Sequence, residues 1–351
     1  MQNYRVLGMM SGTSLDGLDL ACVDFFQENG NWQFHLVAAE TVSYSREWTD
    51  RLRNAIHFSG LEITRTDVAY GHLLGSLSSE FLSKHHLKVD LVSSHGHTIF
   101  HQPDEGFTLQ IGNGTALASH HFCPVVFDFR SLDVSAGGQG APLVPYGDFL
   151  LFSNYAGCLN IGGFANLSVN SDFPAAWDIC PANYVLNILA NRLNHTYDKD
   201  GLISRSGSII HSLLSQLESN SYYLRKAPKS LGSEFVMSEM MPLMDAYSGI
   251  EDLLRTFTEH IALRVAQDMK MVEGPVLVTG GGAKNSFLME RIESISQRKL
   301  ERPTDEIIDF KEAIIFAFLG LLRFLNLPNI DGRITGSNRF LSSGNISLPG
   351  L

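Results

Sequence analysis

The sequence predicts an α/β protein of two lobes. Strand patterns alternate with helical periodicities along the chain. Its 351 residues suffice for two lobes and a sizeable core. A strand, a small-residue turn and a second strand occur twice, about 150 residues apart, as two related lobes would require.

The first of these is VLGMMSGTSLDGLDLACVDF, Val6 to Phe25. Extended residues lead to Gly8, and after Gly17 apolar Leu18, Leu20, Cys22 and Phe25 alternate with Asp19 and Asp24. The stretch between, Ser11 to Gly17, has almost no bulk. It reads either as an ordinary turn or as a hairpin tip whose backbone N–H groups face a ligand. A strand follows in WQFHLVAAETVSY, then a helix in YGHLLGSLSSEFLSKHH with Leu73, Leu74, Leu77, Phe81 and Leu82 on one face. VDLVSSHGHTIFHQ and TLQIGNG are strands, and VVFDFRSLDVSAGGQGAPLVP runs into a glycine-rich loop. GCLNIGGFANLSVN repeats the opening pattern around Gly162 and Gly163. Helices are predicted at NYVLNILANRL, IIHSLLSQLE and IEDLLRTFTEHIALRVAQDM, and HTYDKDGLISRSG reads as a surface loop. GPVLVTGGGAKNSFLMERI is a strand ending in three glycines followed by a helix, and AIIFAFLGLLRFL is a buried core helix, too short to span a bilayer.

Gly280, Gly281 and Gly282 sit where α/β proteins bind nucleotides, between a strand's carboxyl end and a helix. They leave a flat backbone surface for a base or phosphate, or simply a tight turn. No Walker Lys-Ser/Thr follows, and Asn285 replaces the last glycine of a dinucleotide fingerprint. His95 and His97 read as sharing a strand face, a weak metal pair that serves better as hydrogen-bond partners of a polar ligand or the backbone. Arg130 lies between Asp128 and Asp133, which suits a structural ion pair or a guanidinium held for an anion. Asp178 follows Trp177 and precedes a helix, so it caps that helix or, partly desolvated, serves as a base.

Composition narrows the partners. Charged residues make up 18% and hydrophobic ones 44%, an ordinary globular balance. A formal charge of −11 argues against nucleic acid and anionic membranes. Cys22, Cys123, Cys158 and Cys180 are scattered, as small core residues in a reducing compartment would be. No signal peptide is visible, so a cytoplasmic location is expected.

Six segments in order (GMMSGTSLDGLD, GGQGAPLVP, LNIGGFANLS, YDKDG, PKSLG and TGGGAKNSFL) resemble the anhydro-N-acetylmuramic acid kinases, from Leu7 to about Gly336. The resemblance implies a two-lobed actin/hexokinase-like fold with ribonuclease H-like lobes and a central ATP cleft. The first lobe would hold residues 1–130 and about 311–351, the second 131–310. It implies a kinase that opens 1,6-anhydro-N-acetylmuramic acid with water and phosphorylates O6 from MgATP, in cell-wall recycling. ATP would contact Gly12, Thr13, Ser14, Leu15, Asp16, Gly17, Leu18, Asp19, Gly162, Gly163 and Gly280 to Gly282. Asp16 and Asp19 would organise Mg²⁺ through water. Asp178 would be the catalytic base, matching the aspartate of D-T-G-P-G-N in Asp178-Ile179-Cys180-Pro181-Ala182-Asn183. His97, Arg130 and Asn183 would meet the sugar, His97 standing where many members have glutamine. A sensor on the same fold without kinase activity, or a kinase of a related amino sugar, is the alternative; a homodimer stays open.

Overall fold

The computed structural model describes residues 2–12, 15, 17–171, 174–227 and 229–349. Thr13, Ser14 and Asp16 of the expected phosphate loop therefore lie outside the described residues. The chain divides into two compact units, residues 1–152 with 310–351, and residues 153–309.

The first unit is built on β1 (Asn3–Met10), β2 (Leu18–Glu28), β3 (Asn31–Val42), β4 (Leu91–Ser94) and β7 (Val125–Phe127), with a separate hairpin of β5 (His97–Gln102) and β6 (Phe107–Ile111). Its six-stranded sheet runs from the closing strand Asn345–Ser347 through β7, β4, β1 and β2 to β3. The β1–β2–β3 meander is antiparallel, while β4 and β7 run parallel to β1. A three-strand meander continued by parallel strands beyond its first member is the ribonuclease H-like order.

Burial explains the packing on this sheet. The helix Gly60–Lys84 starts on a capping box, Ser59 with Glu62, and turns Tyr70, Leu74 and Phe81 inward against Leu7, Met9 and Leu20. Each such side chain contributes about 1.5–3 kcal/mol by leaving water. The helix Asp305–Phe324 is apolar and buried from Ala313 to Leu322. It lies so close to β1 that a Cβ at Gly8 would stand 2.0 Å from the Ala313 carbonyl oxygen.

The second unit carries β8 (Gly157–Ile161), β9 (Phe164–Val169), β10 (Ala175–Pro181) and β11 (Val276–Thr279), in the order β10-β9-β8-β11. Again the first three strands form an antiparallel meander, and the fourth runs parallel to its first member. The helix Ile250–Asp268 buries Leu253, Phe257, Ile261 and Val265 in a core shared with Leu159, Leu167 and Leu186.

The division falls after Phe152, not after residue 130. The helix Val144–Leu151 packs on β3, and Asp148 within it forms a buried ion pair with Lys311 at 3.1 Å. Separating that pair would strand a buried charge, so the segment stays with the first unit. The YDKDG segment is also more than a surface loop. Asp198 is buried and accepts from the amides of Ile203 and Ser204 and from the Ser204 hydroxyl.

Candidate active site

In the first unit the polar residues gather at the carboxyl ends of β1, β4 and β7, the edge at which open α/β sheets bind ligands. Ser11 follows β1 directly. Its Oγ lies 3.1 Å from His97 Nδ1 and accepts from the Tyr44 hydroxyl at 2.9 Å; Tyr44 in turn lies 2.6 Å from the Tyr70 hydroxyl. Burial pushes His97 down to about 4 against the hydrogen bonding from Ser11, and raises Tyr70 well above its ordinary value. His97 is thus neutral at pH 7 and held beside the start of the glycine loop.

His95 and His97 do not share a strand face. Gly96 takes φ +73°, β4 ends at Ser94, and β5 begins at His97, so no single strand carries both residues. Among the described residues no group of three or more His, Cys, Asp or Glu could hold a metal ion. His95 instead meets Arg130, whose Nε and Nη2 lie 3.0 and 2.9 Å from its Nε2, while Nη1 donates to the Gly140 carbonyl at 2.7 Å.

The expected pairing of Arg130 with its sequence neighbours is absent. Asp128 accepts from Ser131 and Asn345. Asp133 is fully buried and accepts from the Gly140 amide and the Thr335 hydroxyl, both at 2.7 Å, so the GGQG loop is folded around that carboxylate. Burial pulls Arg130 down to about 10, with the Glu312 charge pulling the other way.

Of the remaining loop residues, Gly12 accepts weakly from the Leu15 amide at 3.4 Å, and Leu15 has φ +58°. Gly17 is required by packing, since a Cβ there would lie 2.7 Å from the Val42 carbonyl oxygen. Leu18 is buried in the core, and Asp19 accepts from the Thr41 hydroxyl at 2.6 Å.

In the second unit the two glycine segments come together. Gly162 and Gly163 form the tip between β8 and β9, and their carbonyls accept from the amides of Ala182, Asn183 and Tyr184 at 2.8–3.1 Å. The start of the helix Asn183–Asn191 is thereby fastened to the hairpin, and Asn183 Nδ2 adds a bond to the Ile161 carbonyl at 3.1 Å. Gly280 needs φ +81°, and a Cβ at Gly282 would meet Ile161 Cγ2 at 2.2 Å, so these two glycines serve the fold. Gly162, Gly163 and Gly281 differ: φ is not positive, and no atom lies closer than 3.5 Å to an added Cβ. Among the described residues, no close contact demands glycine there. The triple glycine does not open the next helix directly, because a short turn, Gly281–Lys284, intervenes and Asn285 caps Ser286–Ser296.

Asp178 sits on β10 just before a bulge in its pairing with β9. It does not cap a helix, because Asn183–Asn191 begins with Ala182 in the capping position. One carboxylate oxygen accepts from the Leu231 amide at 2.8 Å, the Asp178 amide donates to the Lys229 carbonyl, and its carbonyl accepts from the Tyr222 hydroxyl. The PKSLG segment therefore clamps this acid, which sequence spacing alone could not show. Burial raises Asp178 to about 6, opposed by the Leu231 amide. Trp177 points to the other face, where its indole donates to Asp268 at 2.6 Å; burial by the fold, rather than this ring, carries the shift.

Register adds residues the sequence reading missed. Asp178 stands opposite Asn166, Asn166 opposite Asn160, and Asn160 opposite Thr279. Opposite residues share a face, so one polar row crosses the sheet from Asp178 to the triple glycine. Thr279 Oγ1 is buried with no partner among the described residues. The two asparagines flanking Gly162–Gly163 in LNIGGFAN were the available signal.

Two units on one ribonuclease H-like strand plan, with glycine hairpins after the first strand, define an actin/hexokinase-like phosphotransferase fold. The family profile for anhydro-N-acetylmuramic acid kinase matches residues 4–349, and the chain belongs to that family of sugar kinases. A protein named anhydro-N-acetylmuramic acid kinase from Vibrio cholerae serotype O1 is 34% identical, with 98% of each chain covered. One of the same name from a Cyanothece species is 32% identical over 97% of this chain and 99% of its own. Among solved structures, the activator of a 2-hydroxyisocaproyl-CoA dehydratase from Clostridium difficile is similar at TM-score 0.46 and 15% identity, covering 93% of this chain and 99% of that one. A ROK hexokinase from Thermus thermophilus gives TM-score 0.40 and 12% identity, covering 90% and 99%. Among the described residues no helix is long and apolar enough to cross a membrane.

Proposed function

We propose that this protein converts 1,6-anhydro-N-acetylmuramic acid and ATP to N-acetylmuramic acid 6-phosphate and ADP. Water bonds to the anomeric carbon, the bond from that carbon to O6 breaks, and O6 takes the γ-phosphoryl group. Asp178 accepts a proton from the attacking water. The observation that carries this reading is the Asp178 carboxylate itself: half-buried, fixed by the Leu231 amide, and raised to about 6. Such an acid is ionised at pH 7 yet basic enough to take a proton, the compromise that general-base catalysis requires.

Within the first unit, Gly12 to Asp19 are the residues proposed to contact the ATP phosphates; within the second, Gly162, Gly163 and Gly281 offer bare backbone to the nucleotide. Gly280 and Gly282 hold that backbone in shape, and Asn183 fastens the hairpin. His97 and Arg130 bind the sugar. Asp19, a half-buried residue beside the loop, and Asp16 are the hard donors suited to Mg²⁺, which binds one or two carboxylates and keeps several waters. When bound, Mg²⁺ neutralises charge that develops on the transferring phosphoryl group. The need for ATP places the reaction in the cytoplasm.

The test is incubation with MgATP and the anhydro sugar, following ADP and product mass. ADP formation that depends on the sugar, with a product heavier by one phosphoryl group and one water, is expected. No sugar-dependent ADP, or a product lacking the water, overturns the reading.

A further inference from the structure

The second neighbour of Arg130 settles a protonation state. An arginine only donates, and two of its nitrogens converge on His95 Nε2 at 3.0 and 2.9 Å. That nitrogen must therefore be bare, and the ring proton must sit on Nδ1. There it donates to the Gly96 carbonyl at 3.0 Å. The ring is only 4% exposed and packs 4.5 Å from the Phe316 ring, and its own amide is tied to the Met9 carbonyl at 3.0 Å. Burial and the adjacent guanidinium both push His95 well below its ordinary value, so it stays neutral.

The consequence falls on Arg130. Three of its five N–H groups are taken, by His95 twice and by the Gly140 carbonyl once, and both of those partners are uncharged. Among the described residues it makes no ion pair: Asp128 and Asp133 are turned to other donors, and Glu312 acts on it through its charge without a hydrogen bond. One N–H remains on each terminal nitrogen, and two such donors on one guanidinium match the two oxygens of a carboxylate.

We propose that His95 is a positioning residue that orients Arg130 without neutralising it, and so makes the guanidinium a recognition site for a carboxylate on the sugar. The inference rests on the reading above, in which the substrate is a muramic acid and its lactyl group is that carboxylate. A neutral acceptor is the one kind of partner that can hold an arginine in place and leave its charge for the ligand. An aspartate or glutamate at the same place would orient it equally well and silence it.

The experiment compares 1,6-anhydro-N-acetylmuramic acid with 1,6-anhydro-N-acetylglucosamine, which lacks the lactyl group, on wild type, His95→Gln and His95→Glu. Wild type should prefer the lactyl sugar through KM. His95→Gln, a neutral acceptor, should keep the preference. His95→Glu should lose it by roughly ten- to a hundredfold in kcat/KM, with kcat and the KM for ATP within about threefold of wild type. Nitrogen-15 NMR of the wild-type imidazoles gives a readout that needs no variant to fold: His95 should carry its proton on Nδ1. A preference retained in His95→Glu, an equal loss on both sugars, or a proton on Nε2 overturns the proposal. Equal use of both sugars by wild type overturns it too, and sugar-dependent ADP formation in that assay separates this result from failure of the kinase reading.

Discussion

The two units share a strand plan and divide the chemistry unequally. In each, an antiparallel meander is joined by a parallel strand beside its first member. The link after the first strand differs. Residues 11–17 connect β1 to β2 and carry three hydroxyls and one acid, whereas only Gly162 and Gly163 connect β8 to β9. The polar groups differ as well. Those of the first unit bond to one another, Tyr70 through Tyr44 and Ser11 to His97, and His95 to Arg130. Both histidines are driven neutral. The second unit holds an acid raised into the range of a working base. On the proposed reading, one plan supports a unit that holds ligands and another that moves a proton, with the raised Glu312 of the first unit facing Arg130.

The largest expected effect breaks that division at its chemical end. Asp178→Asn keeps an oxygen for the Leu231 amide but loses the base, so kcat should fall by about 10²–10⁴ while ATP still binds. In wild type, kcat should decline as pH falls through about 6, because the base is then protonated. The stability effect has the opposite sign. A folded-state value near 6 against an ordinary 3.8 means that the native state prefers protonated Asp178. Its ionisation therefore destabilises the fold progressively as pH rises through that window. Asp178→Asn should accordingly be more stable than wild type at pH 7, by about 1–2 kcal/mol, and no more stable near pH 3.5. Urea titrations at the two pH values check this. A variant with near-normal turnover removes Asp178 from the mechanism.

Next in size are the glycines of the second unit, which separate ligand contact from folding. The Cβ added by Gly163→Val meets only Tyr184 Cβ, at an ordinary 3.7 Å, so the melting temperature should move little while the KM for ATP rises roughly tenfold or more. Gly282→Val drives its side chain into Ile161 and should destabilise first, by about 1–3 kcal/mol. Calorimetric melting beside ATP titration distinguishes the two. Matching losses of stability in both variants would mean that hairpin and triple glycine do the same structural job.

The sequence made the strand plan legible because alternation and glycine tips are local signals, and it pointed to Asp178 as a base through the family resemblance, in which Asp178, Pro181 and Asn183 match and the three positions between do not. It misled where partners are distant in the chain. Arg130 has carboxylates two and three residues away, yet it binds a histidine 35 positions earlier. Local proximity is a poor guide to a side chain leaving the end of a strand. Gly96 separated His95 from His97 by a single left-handed residue, which no alternation pattern reveals. The row from Asp178 to Thr279 exists only through strand register, and the placing of Asp148 with the first unit is matched by a buried ion pair to Lys311, far away in the chain.

The smallest effect sharpens the comparison from the side of the first unit. Tyr44→Phe removes a donor to Ser11 and leaves the fully buried Tyr70 hydroxyl without the oxygen now 2.6 Å away. Ser11 remains as a side-chain partner of that buried hydroxyl, so losing the one bond costs about 0.5–1.5 kcal/mol, which denaturant unfolding resolves. The ring itself stays, so its packing near Tyr70, with centroids 6.1 Å apart, should survive. If the hydroxyl chain belongs to ligand holding alone, the acid limb of kcat should keep its midpoint near pH 6, because that limb belongs to Asp178. A midpoint displaced by half a unit or more in Tyr44→Phe would tie the hydroxyl chain to the proton transfer and dissolve the division of labour between the two units.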